Sequence, residues 1–284
     1  MTISEPSSRP PRPAGVSGTF GPSGAARFRA LHRPSGVPLL LPNAWDHASA
    51  AALAAAGFEA VGTTSLGVAA AAGLPDGTGR TRAETLRLAR LIGDGAFLLS
   101  VDIEGGFSDD PAEVADLARE LAEAGAVGVN LEDGRADGDL TPPRLHAAKI
   151  AAVREAVPWL FVNARTDTYW LGQGGEAQTA SRLAAYADAG ADGVFVPGVT
   201  DPAGIEAAAA ATELPLNVLA SPDGPALARL AELGVRRVSL GSLLFRVALG
   251  AAVDTVTALR THGAVPPLPQ VPSYASVQDL TASN

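Results

Sequence analysis

Short apolar runs recur along the middle of this chain, and several of them end in charge. Phe97-Leu-Leu-Ser-Val-Asp-Ile-Glu-Gly-Gly-Phe107 is an apolar strand closing on Asp102 and Glu104 before a glycine turn. Strand side chains alternate between faces, so two acids two residues apart are expected to look the same way. Ala126-Val-Gly-Val-Asn-Leu-Glu-Asp-Gly134 repeats the pattern and ends in Glu132 and Asp133, while Leu160-Phe-Val-Asn-Ala-Arg-Thr-Asp167 ends in Arg165. Between such runs lie stretches of helical period. The spacing predicts strands at 37–42, 58–63, 97–102, 127–132, 160–164, 193–196, 216–219 and 238–240. It predicts helices at 46–56, 82–92, 111–124, 142–156, 176–189, 202–211, 225–233 and 243–261, with a long loop before the one at 82.

Four of these helices stop at a glycine that leads straight into the next strand: Gly57, Gly125, Gly190 and Gly234. A glycine just past the last turn is the left-handed stop expected of strand–helix repeats. Eight repeats predict an α/β chain folded as a (β/α)8 barrel in one domain, over residues 25–262. The rival, an open doubly wound sheet, lacks its Gly-x-Gly-x-x-Gly turn here. Residues 1–24, rich in Pro, Gly and Ser, read as a disordered tail. A short helix at 25–32 is expected to cap the barrel bottom. Residues 263–284, opening with Val265-Pro-Pro-Leu-Pro269, read as an extended Pro-rich tail.

Composition narrows the function. A chain of 284 residues with a net charge of −9 is a poor partner for nucleic acid or an anionic membrane. An anionic substrate must then be met by a metal or a few placed arginines. There is no cysteine, which removes disulfides, thiolate metal sites and a cysteine nucleophile or acid. No signal peptide or membrane span is legible, and a cytoplasmic location is expected.

In a barrel, the loops after the strands form the active face. Falling there are Trp45, Thr63, Thr64, Ser65, Asp76, Asp102, Glu104, Glu132, Asp133, Asn163, Arg165, Asn217 and Ser242. Asp102, Glu104 and Glu132 would repel unless a cation or protons intervened, and an all-oxygen set favours Mg²⁺ or Mn²⁺. The plainer alternative has them capping helices or pairing with arginine. Arg165 suits a carboxylate or phosphate, or else an internal salt bridge to Glu132 or Asp133. His47 reads as structural and His146 as an exposed helix residue. Lys149, the one lysine, falls mid-helix, so no lysine ends a strand and Schiff-base chemistry is disfavoured.

Taken together, the motifs resemble those of the isocitrate lyase/phosphoenolpyruvate mutase superfamily. Val101-Asp-Ile-Glu-Gly-Gly-Phe107 is similar to its Asp-x-Asp-x-Gly-Tyr/Phe metal motif, and Val61-Gly-Thr-Thr-Ser65 through Gly73-Leu-Pro-Asp76 to its second-strand substrate loop. Leu131-Glu-Asp-Gly134 and Asn163-Ala-Arg-Thr-Asp167 resemble the remaining two. The resemblance implies Mg²⁺ near Asp102, Glu104 and Glu132. It implies a substrate carboxylate or phosphonate held by Thr63–Ser65 and Arg165. From their place on the active face, Trp45, Asn163 and Asn217 are further candidate contacts, and Arg165 and Asp76 candidate catalytic residues. The resemblance implies a 2-oxo or 2-hydroxy acid passing through an enolate, by C–C lyase or decarboxylase-like chemistry. A P–C mutase or phosphonopyruvate hydrolase is the runner-up, and a non-catalytic metabolite-binding barrel a third reading. Relatives assemble as tetramers, often swapping the last barrel helix, so a homo-oligomer, tetramer or dimer, is expected here. The chain departs from the pattern at Glu104, where the second Asp usually stands. The loop at 134–141 lacks the lyase Cys, and Val196-Pro-Gly-Val199 lacks the Glu or His expected after the sixth strand.

Overall fold

Alternating apolar runs and glycine-stopped helices close into a parallel barrel in the computed structural model, which describes residues 20–34, 36–268 and 271–281. The strands are β1 (Leu39–Leu41), β2 (Asn43–Ala44), β3 (Ala60–Thr63), β4 (Leu98–Asp102), β5 (Ala126–Glu132), β6 (Phe161–Arg165), β7 (Gly193–Phe195), β8 (Leu216–Leu219) and β9 (Val235–Ser239). They lie in the order β1-β9-β8-β7-β6-β5-β4-β3-β2, and every pairing is parallel. β1 and β2 are one physical strand broken at Pro42, which has no N–H to give to a ladder. The nine segments therefore make eight staves, a (β/α)8 barrel, and the open-sheet alternative falls away.

Asn43 repairs the break. Its Nδ2 donates to the Thr63 carbonyl at 2.7 Å, and its Oδ1 accepts from the amides of Leu240 and Gly241 at 3.0 and 2.9 Å. One side chain thus bridges β3 to the end of β9 across the seam where the barrel closes.

The helices are α1 (Gly21–Leu31), α2 (His47–Ala55), α3 (Ser65–Ala71), α4 (Arg82–Ile92), α5 (Pro111–Glu123), α6 (Pro143–Ala156), α7 (Glu176–Asp188), α8 (Pro202–Ala210), α9 (Leu227–Glu232), α10 (Leu243–His262) and α11 (Tyr274–Thr281). Asp46, Asp110 and Asp201 accept from amides in the first turns of α2, α5 and α8, the last two with proline next in line. The glycines at 57, 125, 190 and 234 all take positive φ.

Outward strand residues such as Val101, Val129, Leu131 and Val162 pack against Leu117, Leu121, Ile150 and Val153 of the surrounding helices. A second cluster, including Val194, Leu216, Val218 and Val238, does the same under α8 and α9. At the N-terminal end of the barrel, α1 inserts Phe28 among Leu41, Leu98, Val127 and Phe161. The predicted bottom cap is therefore present, and it begins at Gly21 rather than at residue 25. The remainder of the predicted N-terminal tail, residues 1–19, lies outside the described residues.

Two further elements depart from expectation. The loop foreseen between β3 and α4 contains α3, which starts on the hydroxyl turn itself. Beyond the Pro-rich run lies α11, where Ser273 accepts from the Ser276 amide at 3.1 Å and starts a turn free of proline. Among the described residues no helix is long and apolar enough to cross a membrane.

Candidate active site

At the C-terminal mouth of the barrel a cavity of about 110 Å³ is lined by polar residues, among them Thr64, Ser65, Asp76, Asp102, Asn130 and Arg165. Asn43, Ser239, Gly241 and Ser242 also border it, as do Leu66, Trp170, Phe195, Pro197 and Leu219, with Phe195 beside Arg165. Thr63 stands behind this wall, because its Oγ1 accepts from the Asp102 amide at 2.9 Å and ties β3 to β4. Trp45 is also displaced from the cavity wall: it packs edge-on to Phe245 at 5.4 Å. There it covers Gly67, where an added Cβ would meet the Trp45 Cβ at 2.7 Å.

Asp102 and Glu104 do not share a face. β4 ends at Asp102, and Glu104 adopts φ 47°, a left-handed conformation uncommon for a residue with a side chain. Its carboxylate turns back to accept from the Gly79 amide at 2.8 Å and the Thr81 hydroxyl at 2.6 Å. Glu104 thereby anchors the loop carrying Asp76. Asp102 keeps the cavity, with its Oδ1 accepting from the Glu104 amide at 3.2 Å. Burial lifts the Asp102 pKa to about 6; Arg165 and the Glu104 amide pull it down, and Asp76 and Glu104 push it up. Among the described residues, no three acids or histidines converge as a ready-made metal cage.

Arg165, the last residue of β6, is clasped by two carboxylates. Glu132 Oε2 lies 2.6 Å from its Nη1, and Asp167 accepts from Nε at 2.6 Å and from Nη2 at 3.1 Å. The internal ion pair foreseen for Arg165 thus forms with Glu132 and Asp167 rather than with Asp133. Burial opposes the guanidinium charge, but Glu132, Asp167 and Asp102 outweigh it and hold the Arg165 pKa above its usual value. Burial raises Glu132 well above the carboxylate range, with Arg165 opposing.

Behind this pair, Asp133 Oδ1 accepts from the Asp167 amide at 2.8 Å, and its Oδ2 accepts from Arg182 and from the Tyr186 hydroxyl. His146 lies fully buried against Tyr186, with ring centres 4.6 Å apart, not exposed on α6 as its position implied. Burial lowers its pKa to about 4. Lys149 is likewise buried. Its Nζ donates to the Gly105 carbonyl and to Asp109, both at 3.0 Å, beneath a second, more open cavity of about 380 Å³ bordered by Glu104, Glu132 and Arg135.

Asn163 and Asn217 sit one layer below the mouth. Asn163 donates to Asn130 Oδ1 at 2.9 Å, and Asn217 to Ser239 Oγ at 3.0 Å. Arg237 completes that layer, donating to Ser239 two residues on in its own strand and to Asn130 across the barrel, and burial draws its pKa down to about 9. This polar floor replaces the branched apolar layers usual in such barrels. Asn43, Asn130, Trp170, Phe195, Pro197 and Leu219 were not singled out from sequence. Phe195 ends a strand and so was findable by position, whereas Trp170 lies five residues beyond one.

Comparison with known proteins agrees with this geometry. The family model described as phosphoenolpyruvate phosphomutase matches residues 28–260. An uncharacterised Mycobacterium tuberculosis protein is 44% identical over 252 residues, covering 88% of this chain and 94% of its own. Oxaloacetate decarboxylase of Pseudomonas paraeruginosa is 34% identical, covering 91% of this chain and 88% of the relative. A solved phosphonopyruvate hydrolase, in complex with oxalate and Mg²⁺, superposes with a TM-score of 0.79 at 25% identity, covering 91% and 94% of the two chains. Since the match spans the barrel strands from β1 to β9, this chain belongs to the phosphoenolpyruvate phosphomutase family and is an enzyme of the isocitrate lyase/phosphoenolpyruvate mutase superfamily.

Proposed function

We propose that this enzyme cleaves a C–C bond of a small 2-oxo or 2-hydroxy carboxylic acid through an enolate, as a lyase or decarboxylase, with Mg²⁺ or Mn²⁺ held at Asp102. The observation that carries this reading is Asp102 itself: a half-buried carboxylate with one long hydrogen bond, lining the cavity with Arg165. The donor set fits a hard divalent cation. All candidate ligands are oxygens, and Asp102 lies in the field of Asp76 and Glu104 as well as that of Arg165. Asp102, with Glu132 and Glu104 near it, would hold such an ion, which keeps several of its waters. Such an ion supplies Lewis-acid polarisation of the 2-oxo group.

The chain's own residues do the rest. Arg165, fixed by Glu132 and Asp167, offers its remaining N–H groups to the substrate carboxylate. Asp76, delivered by the loop that Glu104 anchors, is placed to exchange a proton with the substrate. The relatives support both bond types: one is named a decarboxylase of oxaloacetate, and another a hydrolase of phosphonopyruvate. P–C chemistry is thus the second reading.

The test is calorimetric titration of metal-stripped protein with oxalate, a planar mimic of the pyruvate enolate. Binding is expected with Mg²⁺ and not without it, and should be lost in Asp102→Ala. Metal-independent binding would defeat the reading.

We also infer a homo-oligomer built through α10. Only Phe245 of this helix is buried, while Val247, Leu249, Val253 and Val256 are each more than half exposed, a larger apolar face than a monomer ordinarily leaves open. Sedimentation equilibrium should give a multiple of the chain mass, and a monomer at micromolar concentration would refute it.

A further inference from the structure

An asparagine side chain carries one acceptor oxygen and one donor nitrogen, and the donors inside this barrel can be followed one by one. Asn43 donates to the Thr63 carbonyl, Asn163 to Asn130 and Asn217 to Ser239. Asn130 is the exception among these four. Its Oδ1 accepts twice, from Asn163 Nδ2 at 2.9 Å and from Arg237 Nη2 at 3.2 Å. A guanidinium has donors only, so the atom that meets Arg237 must be the oxygen, and the amide is held in one sense. Its Nδ2 then points away from both partners. No acceptor among the described residues meets that nitrogen, yet it is not shut away from solvent. Asn130 borders the cavity, so the free donor is presented there. Ser239 borders it too, but its hydroxyl is already engaged by Arg237 and Asn217.

Strand register sets where this donor stands. Asn130 lies opposite Asp102 on β4 and opposite Asn163 on β6. Arg165 follows two residues beyond Asn163, on the same face of the same strand. The amide is therefore placed between the stave that ends in Asp102 and the stave that ends in Arg165. Behind it, Arg237 is fully buried with its Nη1 unpartnered, and Asp102 is the acid whose charge reaches it. A buried cation without an ion pair is costly, and its field favours an anion at the mouth. Its hydrogen bond to Oδ1 also polarises the Asn130 amide, which strengthens the donor at the other end.

We propose that Asn130 is a substrate-binding residue, whose Nδ2 donates to an oxygen of the bound acid, with Arg237 and Asn163 as the positioning residues that hold it in that sense. This rests on the reading of Asp102 and Arg165 given above. A donor fixed before the acid arrives needs no reorganisation as negative charge grows on that acid, the property that makes preorganised donors effective in catalysis.

The test follows the Asn130 side-chain amide by ¹H–¹⁵N NMR, its signal pair being identified by its absence from Asn130→Asp. That variant keeps an oxygen for Asn163 and Arg237 and changes the group offered to the cavity. It should fold as wild type does and bind oxalate in the presence of Mg²⁺ about tenfold more weakly or worse. Asn130→Ala, which removes the donor without adding charge, should also lose about tenfold. In wild-type protein the amide pair should stay in place with Mg²⁺ alone and shift when oxalate is added. Arg237→Gln should shrink that shift, because the amide is no longer held in one sense. If oxalate binds and the amide pair does not respond, or Asn130→Ala keeps wild-type affinity, the proposal is overturned while the reading of Asp102 and Arg165 stands. A shift already complete with Mg²⁺ alone would assign the amide to the ion and overturn it equally. An undiminished shift in Arg237→Gln would overturn the positioning role. If oxalate fails to bind wild-type protein, both readings fall together.

Discussion

A single methyl group placed well outside the cavity should disarm the active-site arginine. Gly134 follows Asp133 and pairs with Leu140 in an isolated bridge. A Cβ built at Gly134 lies closer than 3.0 Å to Asp167 Oδ2, a separation real Cβ atoms essentially never show. Asp167 cannot recoil freely, since it is 3% exposed, holds Arg165 through two hydrogen bonds and has its amide bound to Asp133. Gly134→Ala must therefore break the Arg165–Asp167 fork. Breaking a buried pair outright costs about 3–5 kcal/mol. Arg165 keeps Glu132, so the expected loss is smaller, about 2–3 kcal/mol, or roughly a 5–10 °C fall in melting temperature for a chain of this size. Oxalate affinity should fall as well, because the guanidinium is no longer held on both sides. The decisive measurement is a double-mutant cycle by thermal or urea unfolding. In an Asp167→Ala background the obstructing carboxylate is gone, and Gly134→Ala should cost almost nothing. A Gly134→Ala protein that melts within a degree of wild type, or a penalty undiminished in the double mutant, would refute the reasoning.

Glu104→Ala should strand the Gly79 amide and the fully buried Thr81 hydroxyl, cost about 2–3 kcal/mol, and speed limited proteolysis between residues 76 and 81; unchanged cleavage would count against the anchoring role. Phe28→Ala empties the barrel bottom and should cost about 3–5 kcal/mol, measured by denaturant midpoint, and a loss below about 1 kcal/mol would mean that α1 does not plug the barrel. Acid should also weaken the fold through its buried histidines. Burial lowers His32 to about 3 and His146 to about 4, so their stabilisation is complete above about pH 6.5. It is lost as pH falls, because the unfolded chain takes up protons that the folded one refuses, at about 1.4 kcal/mol per pH unit for each histidine. Asp102 and Glu132, raised by burial, work in the opposite direction over the upper part of that range. His32→Phe should therefore flatten the stability slope between pH 6 and 4.5, and an unaltered slope would exclude His32 as a source.

The repeat of strand, helix and glycine stop was legible because each signal is local. Asp110-Pro111 and Asp201-Pro202 start their helices, and Gly125 and Gly190 end theirs, without reference to anything distant. Strand ends located Asp102, Glu132 and Arg165 for the same reason. What sequence concealed was non-local or depended on one torsion. Alternation placed Glu104 beside Asp102, but φ 47° at Glu104 reverses its side chain, and no neighbouring residue announces this. Arg237 stands in Val235-Arg-Arg-Val238, two charges that argue against a buried strand. Its place becomes intelligible only when Asn130 arrives from β5 to receive it beside Ser239 of its own strand. His146 looked exposed because the helical period around it is weak, and Tyr186, which covers it, is supplied by the next helix. Trp170 carries no positional signal, since the loop that holds it is set by the close approach of its backbone to Gly198.

The seam held by Asn43 also bears on how the barrel opens. Its side chain joins residues 197 apart in sequence, and β1 adds only three residue pairings to β9. Closing so long a loop carries a large entropic cost and is rewarded only after the other staves are in place. The first and last staves should thus be the last to join and the first to part. In native-state hydrogen exchange, the amides of Leu240 and Gly241 should report an opening of lower free energy than those of β5 and β6. Asn43 borders the cavity as well as the seam, so a molecule bound at the mouth would slow exchange at these two amides first. The stitch that closes the barrel would then double as a gauge of occupancy.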